Sequence, residues 1–299
     1  MVALKRFKPR VLCALLLAAL LVVTGCIAQS APLPREPEQP SRLLSVHFID
    51  VGQGDSILIQ FPEPASGVML IDAADANAGN KVVSYIQSLG IEHIAWLIAT
   101  HPHADHIGGI PEVLEHFSIG QVFMPRTSHT TRTYENLLLA IKQKSLMIDT
   151  ASAGTSIFEQ DGLSAMFVAP NSSSYRNLND WSAVVRIEFL HTSFLFCGDA
   201  ETESEQEMLA LAGALLNADV LKVAHHGSNT SSSRAFLEAV SPSYAVIQVG
   251  AENSYGHPSE RTLERLADIG AEVFRTDLCG TVVIVSDGTT VEVLRVEHP

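Results

Sequence analysis
Short apolar runs recur from residue 43 to the end of the chain, separated by segments with helical spacing. This rhythm predicts strands with helices between them. Strand-like runs fall at 43–51, 56–61, 68–71 and 95–100, then at 121–124, 164–169, 183–190 and 194–197, and later at 219–224, 244–249, 272–275, 281–285 and 291–296. Helices are expected over 80–89, 107–117, 134–144, 202–212, 232–240 and 259–269, the first closed by Gly90. The strands form two sets, so two sheets packed face to face with helices outside would bury them. Element order alone fits one open α/β sheet equally well.

The first residues follow a different pattern. Lys5, Arg6, Lys8 and Arg10 precede an uninterrupted apolar run of 13 residues, 11–23. Such a run is short for a membrane span but suits the apolar region of an export signal. It ends in Val23-Thr24-Gly25-Cys26, which resembles the lipobox of bacterial lipoproteins. That resemblance implies lipidation of Cys26, cleavage before it and attachment to the outer face of a bacterial membrane. The alternative is an uncleaved signal anchor with an incidental cysteine. Pro32, Pro34, Pro37 and Pro40 then mark an extended spacer. The expected organisation is a signal at 1–25, a lipidated cysteine and linker at 26–41, and one domain at 42–299.

Composition narrows the function. With 46% hydrophobic and 17% charged residues, the chain can bury a sizeable core and is not disordered throughout. Loss of residues 1–25 removes four of the 19 basic residues and none of the 33 acidic ones, taking the net charge from −14 to −18. So acidic a surface repels DNA at long range, and a nucleic acid would need a locally neutralised site. Only Cys197 and Cys279 remain beyond Cys26. They could pair in an oxidising compartment, although Cys197 ends an apolar run and reads better as a buried free thiol.

The densest chemistry is Thr100-His101-Pro102-His103-Ala104-Asp105-His106-Ile107-Gly108-Gly109. Four candidate ligands follow a strand and precede a helix. Imidazole with carboxylate suits zinc, manganese or iron, and the lack of thiolate argues against a closed structural zinc site. His101 and His103 are expected to face one ion, and Asp105 and His106 a second. Asp199 ends the apolar run 194–197, where it could bridge metals or cap the next helix. His225-His226-Gly227-Ser228 and Tyr255-Gly256-His257-Pro258 end two further strands. The remaining histidines, His47, His93, His116, His129, His191 and His298, are expected to be structural or solvated.

The His-x-His-x-Asp-His pattern resembles that of the metallo-β-lactamase superfamily. The resemblance implies an αββα sandwich with a dinuclear metal site between the sheets, Asp199 bridging the ions. A narrower likeness rests on His47-Phe48-Ile49-Asp50-Val51-Gly52-Gln53-Gly54-Asp55, Asn179-Asp180-Trp181-Ser182, Cys197-Gly198-Asp199-Ala200-Glu201 and the two later histidine motifs. Together, over residues 44–286, they resemble the hydrolase domain of ComEC/Rec2 competence proteins and its free-standing relatives, including secreted phosphorylcholine esterases. This likeness implies two divalent ions, zinc first and manganese as the alternative. It makes His257 a ligand of the second ion and His226 a ligand of the first, with His225 as phosphate contact or proton donor. The roles of His225 and His226 stay exchangeable. Asn179, Ser182 and Ser228 are expected to line the substrate, and Asp72 to orient a ligand histidine. Departures include a complete histidine loop where many competence domains lack one or more of these histidines, no separate histidine before Asp199 as a further ligand, and Ala73-Ala74-Asp75 where the family often has glycines.

The resemblance implies a surface-tethered phosphodiesterase, with single-stranded DNA as the family-weighted substrate and Asp105 and His225 catalytic. The rivals are a hydrolase of envelope phosphodiesters such as phosphocholine or teichoic-acid groups, a β-lactamase, and a non-catalytic lipoprotein binding partner.

Overall fold
The computed structural model describes residues 43–63 and 67–295; the expected export signal, Cys26, the spacer and His298 lie outside them. β1 (Leu44–Phe48), β2 (Ile57–Phe61), β3 (Gly67–Ile71), β4 (His93–Ile98), β5 (Ser118–Met124) and β6 (Ile148–Thr150) lie side by side in chain order. A second sheet takes β7 (Ser156–Gln160), β8 (Leu163–Ala169), β9 (Val184–Phe189), β10 (Thr192–Phe196), β11 (Val220–Lys222), β12 (Tyr244–Ile247) and β13 (Glu272–Arg275), again in order. The closing hairpin, β14 (Val282–Ser286) and β15 (Val291–Arg295), returns to the first sheet and sets β14 against β1. The sheets thus have eight and seven strands.

Each sheet starts antiparallel and turns parallel: at β3 in the first, at β10 in the second. Parallel neighbours need crossover connections. The helices supply them: α1 (Gly79–Ser88), α2 (Ala104–Ile107), α3 (Ile110–His116) and α4 (Arg132–Gln143) for the first sheet, and α5 (Thr202–Leu211), α6 (Arg234–Val240) and α7 (Glu260–Asp268) for the second. The short α8 (Thr276–Cys279) follows β13.

Three apolar layers result. Between the sheets, Val46, Phe48, Ile57, Ile59 and Met69 meet Phe167, Val185, Ile187, Phe194 and Phe196. Phe48 and Phe196 lie 6.1 Å apart across this layer. Outside the first sheet, Leu58, Leu70 and Leu97 pack on Val82, Ile86, Val113 and Leu137. Outside the second, Leu195, Leu221 and Ile247 pack on Met208, Leu237 and Leu266. This is the αββα sandwich that the resemblance implied, and the alternative of one open sheet is excluded.

Differences from the sequence reading are local. The helix expected at 107–117 is two, because the chain breaks at Gly108-Gly109. A side chain at Gly109 would put its Cβ 2.1 Å from the Ala73 carbonyl oxygen, so only glycine lets this turn press against the end of β3. β6 is wholly exposed and β7 carries Ser156, Glu159 and Gln160, so neither edge strand shows an apolar signature. Both cysteines are free thiols; Cys197 is buried, and burial pushes its thiol up, which leaves it inert. Among the described residues no helix is long and apolar enough to cross a membrane.

His47 sits buried in β1, with Nδ1 2.9 Å from the Tyr85 hydroxyl and Nε2 3.0 Å from Gln60 Nε2. Neutral imidazole satisfies both contacts, and burial lowers its pKa from 6.5 to about 4. Between those values the unfolded chain binds a proton that the folded one does not. Stability is therefore present above pH 6.5 and falls as pH drops through the window, by up to about 3 kcal/mol. Denaturant unfolding of His47→Gln should show a shallower loss between pH 7 and pH 4 than the unaltered protein; equal slopes would contradict this account.

Candidate metal centre
The carboxyl ends of β3, β4, β10, β11 and β12 meet at one edge of the sandwich, and the loops leaving them carry the polar side chains. Asp72 follows β3; His101, His103, Asp105 and His106 follow β4; Asp199 follows β10; His225 and His226 follow β11; His257 follows β12. The β1–β2 loop adds Gln53 and Asp55. Gly54 lets that loop reach the site, since a Cβ there would lie 2.4 Å from the Asp105 carbonyl oxygen. The Asp55 amide donates to the same oxygen at 3.1 Å. An open cavity of about 300 Å³ is lined by Gln53, His103, Asp105, Asp199, His225, His226, Tyr255 and His257, with Ala104.

Ligand atoms converge beneath this cavity. His101, His106 and Asp199 form one group with ligand atoms within 4.8 Å of one another; Asp105, His106 and His226 form a second; Asp55, Asp199 and His226 a third. His106 Nε2 stands 3.2 Å from Asp199 Oδ2, and His226 Nε2 stands 3.3 Å from Asp105 Oδ2 and 3.7 Å from Asp199 Oδ2. His101 Nε2 is 3.7 Å from Asp199 Oδ2 and 3.0 Å from His103 Nδ1. Asp199 thus lies beside His101, His106 and His226 together. His106 Nε2, His226 Nε2 and Asp199 Oδ1 are buried without a hydrogen-bond partner. Buried polar atoms rarely stay unpaired, and a shared cation would satisfy all three. The donor set therefore fits divalent metal ions.

The atoms behind the ligands are fixed. Asp72 accepts from the Thr100 amide at 2.8 Å, the Thr100 hydroxyl at 2.6 Å and His106 Nδ1 at 2.8 Å. His226 Nδ1 donates to the Gln248 carbonyl at 2.9 Å. The Asp199 amide donates to Ser182 Oγ at 3.0 Å. These contacts turn Nε2 of both imidazoles inward, as metal-ligating histidines require. Electrostatics is strong. Burial disfavours charge on His106, but Asp199, Asp72 and Asp105 outweigh it and raise its pKa well above the ordinary value. Burial is likewise outweighed at His226 by Asp199 and Asp55, which push it up to about 9. Asp199, despite burial, is held well below the usual carboxylate range by His106 and His226. A metal entering here displaces protons.

The backbone is strained at the same place. His225 (φ 49°) and His226 (φ 50°) are consecutive left-handed residues, and Asp72 (φ 57°) and Ala74 (φ 60°) are left-handed too. Each costs on the order of 1 kcal/mol or more and persists only where surrounding contacts impose it.

Several expectations change. Asp199 does not cap α5; Asp180 Oδ1 serves that helix instead, accepting from the Glu201 and Ser204 amides at 3.1 Å each. Ser182 and Ser228 were expected to face substrate but are buried. The Ser182 hydroxyl is engaged by Asp199 and lies 3.4 Å from His101 Nδ1, while that of Ser228 contacts Thr230. Asn179 is buried as well, its Nδ2 donating to Glu201 at 2.9 Å. His226 groups with Asp105 and His106, whereas the sequence reading put it on the His101–His103 ion. His257 lies at the rim, its ring 5.5 Å from that of His225 and stacked on Tyr255 at 5.8 Å. His129, expected to be structural or solvated, contacts the Thr131 hydroxyl through Nδ1 at 3.0 Å, its ring 6.4 Å from that of His103.

Sequence reasoning missed three residues. Lys222 is wholly buried and donates to Asp55 Oδ2 and to the Gly198 carbonyl. Asp55 lies 3.3 Å from His226 Nδ1. Glu201 Oε1 is 2.9 Å from His225 Nδ1. The signal for all three was adjacency: each stands in a motif already singled out or within three residues of one.

A family model described as the metallo-β-lactamase superfamily matches residues 49–251. ComE operon protein 3 of Bacillus subtilis is 30% identical over 253 residues, covering 79% of this chain and 32% of that protein. Competence protein ComA of Neisseria gonorrhoeae is 29% identical, covering 88% of this chain and 35% of that one. Recombination protein 2 of Haemophilus influenzae is 28% identical, with 79% and 28% covered. The chain thus spans about a third of the length of these curated relatives. Among solved structures, the metallo-β-lactamase fold protein YhfI of Bacillus subtilis matches with TM-score 0.53 at 12% identity, covering 82% of this chain and 99% of that one. The diiron β-hydroxylase CmlA of Streptomyces venezuelae matches with TM-score 0.54 at 12% identity, covering 87% and 55%. At such identity these two show the fold alone.

Asp72→Asn keeps the side-chain shape but sets an amide against the His106 Nδ1–H. Competition with a chelator should show metal affinity falling about 10–100-fold. Unchanged affinity would contradict the role of Asp72 in holding His106.

Proposed function
Because the chain belongs to the metallo-β-lactamase superfamily, we propose that it is a metal-dependent phosphodiester hydrolase, lipid-anchored through Cys26 to the outer face of a bacterial membrane and acting on single-stranded DNA. The observation that carries the reading is the convergence of the unpartnered His106 Nε2, His226 Nε2 and Asp199 Oδ1 on an open, carboxylate-rich cleft. Without added cations such a cleft repels an anionic phosphodiester; with them it attracts one. DNA is favoured by the likeness to competence proteins over 79–88% of this chain. The anchor is supported by the basic residues, apolar run and Val23-Thr24-Gly25-Cys26 of the first 26 residues.

His101, His103, Asp105, His106, Asp199, His226 and His257 are the residues proposed to hold two divalent ions, zinc first and manganese as the alternative. Bound there, the ions would supply Lewis acidity and an activated water for in-line displacement at phosphorus. The chain's own groups do the rest. Asp105 reaches the cleft floor and can accept a proton from the attacking water. His225 is half-buried at the cleft wall, its Nε2 3.8 Å from Asp199 Oδ2, so it can give a proton to the departing oxygen. His226, wholly enclosed, suits a ligand better than a proton donor. The net charge of −18 on the mature chain favours a second substrate reading, a phosphodiester of the cell envelope.

The test assays the metal-loaded protein and its variants on labelled single-stranded DNA and on an aryl phosphodiester in parallel. Asp105→Ala should lower turnover of both by about 10³-fold with an unchanged melting temperature of the metal-free protein. Retained activity would sink the two-metal reading. Cleavage of the aryl ester alone would keep the chemistry and reject DNA as substrate. His226→Ala should lose bound metal, whereas His225→Ala should keep it and lose about 10²-fold or more in kcat on DNA. The opposite pattern would exchange their roles.

A further inference from the structure
Glu201 belongs to no metal-ligand cluster, yet four side chains from two segments, 177–179 and 225–230, are aimed at it. Its Oε1 accepts from Asn179 Nδ2 at 2.9 Å and from the Thr230 hydroxyl at 3.0 Å. Its Oε2 accepts from Asn177 Nδ2 at 2.6 Å. The fourth contact is His225 Nδ1, 2.9 Å from Oε1. An imidazole lone pair and a carboxylate oxygen repel at that distance, so a proton lies between them. The three other donors favour an ionised carboxylate, which places that proton on Nδ1. With Nδ1 committed to Glu201, Nε2 is the atom that faces Asp199 and the cavity. The left-handed backbone at His225 makes this orientation costly unless a partner holds the ring.

We propose that Glu201 is a positioning residue that fixes the His225 ring through Nδ1 and so aims Nε2 at the leaving oxygen of an alkyl phosphodiester, to which it delivers a proton. This rests on the hydrolase reading above. The step balances: the water oxygen forms the new P–O bond and its proton passes to Asp105, and the P–O bond to the leaving alcohol breaks. That oxygen takes the Nε2 proton, and His225 is reprotonated as Asp105 releases its proton to solvent. An aryl leaving group such as nitrophenolate departs without a proton and does not need the step; a sugar or alkyl alkoxide does.

Metal-loaded full-length protein and its Glu201→Ala, Glu201→Gln, His225→Ala and doubly substituted forms should be assayed on a nitrophenyl phosphodiester and on a dinucleoside monophosphate. The expected result for Glu201→Ala is a fall in kcat of about 10²-fold on the dinucleoside and less than about threefold on the aryl ester, with KM and metal content unchanged. Glu201→Gln, which can still accept from Nδ1, should recover part of the loss. In the His225→Ala background, Glu201→Ala should add nothing. Nitrogen-15 NMR of the histidine rings, without substrate, should show neutral His225 protonated at Nδ1 in the unaltered protein and mainly at Nε2 in Glu201→Ala. Equal losses on both esters, additive effects or an unchanged tautomer would overturn the proposal. If the unaltered protein turns over neither ester, the hydrolase reading fails, and the role of Glu201 in proton delivery fails with it whatever the NMR result.

Discussion
His106 is surrounded by carboxylates in a place with no access to water, and much of the site's arrangement follows from that contact. Its Nδ1 is bound to Asp72 at 2.8 Å, and its Nε2 faces Asp199 at 3.2 Å. An imidazole so enclosed cannot rotate without leaving charged groups unpaired, a cost of several kcal/mol. The loop after β4 is therefore pinned to the end of β3, and Asp199 is pinned opposite it from the other sheet. A contact between the two sheets at their shared edge thus brings the remaining ligands within reach. The buried Lys222–Asp55 pair does the same from below, tying β11 to the β1–β2 loop and setting Asp55 against His226.

The fold supports this in a particular way. Each sheet changes from antiparallel to parallel, at β3 and at β10, and the loops that carry ligands leave the carboxyl ends of those two strands and their parallel neighbours. Ligands gather where strand ends and helix starts leave an open crevice, as in other α/β sheets. The strain at Asp72, Ala74, His225 and His226 gathers at this edge of the sandwich. The three apolar layers hold the strand ends firmly enough for the strain to persist.

Much of this was legible in the sequence. The candidate ligands at 101–106, Asp199 and the paired histidines at 225–226 each come soon after an apolar strand, and spacing exposes such placement, whereas His257 stands ten residues beyond β12. The two sheets were legible because their inner strands are apolar enough to show. The rest was hidden for physical reasons. β6 and β7 are edge strands with polar faces, so they carry no pattern. Lys222 reads as a surface charge from sequence, since nothing local reveals that Asp55, about 170 positions away, will neutralise it. Asp180 and Asp199 are alike as candidate caps for α5, and only their placement separates them. Ser182 and Ser228 stand in recognisable motifs, but motif membership does not say whether a hydroxyl faces the cleft or the ligands behind it.

The central claim is that one cleft assembles a two-ion site from both sheets. Anomalous diffraction at the zinc edge, on crystals of the zinc-loaded protein, tests it most directly. The account predicts two peaks about 4 Å apart, both within reach of the cluster formed by His101, Asp105, His106, Asp199 and His226. A single peak, or peaks away from these side chains, would contradict it.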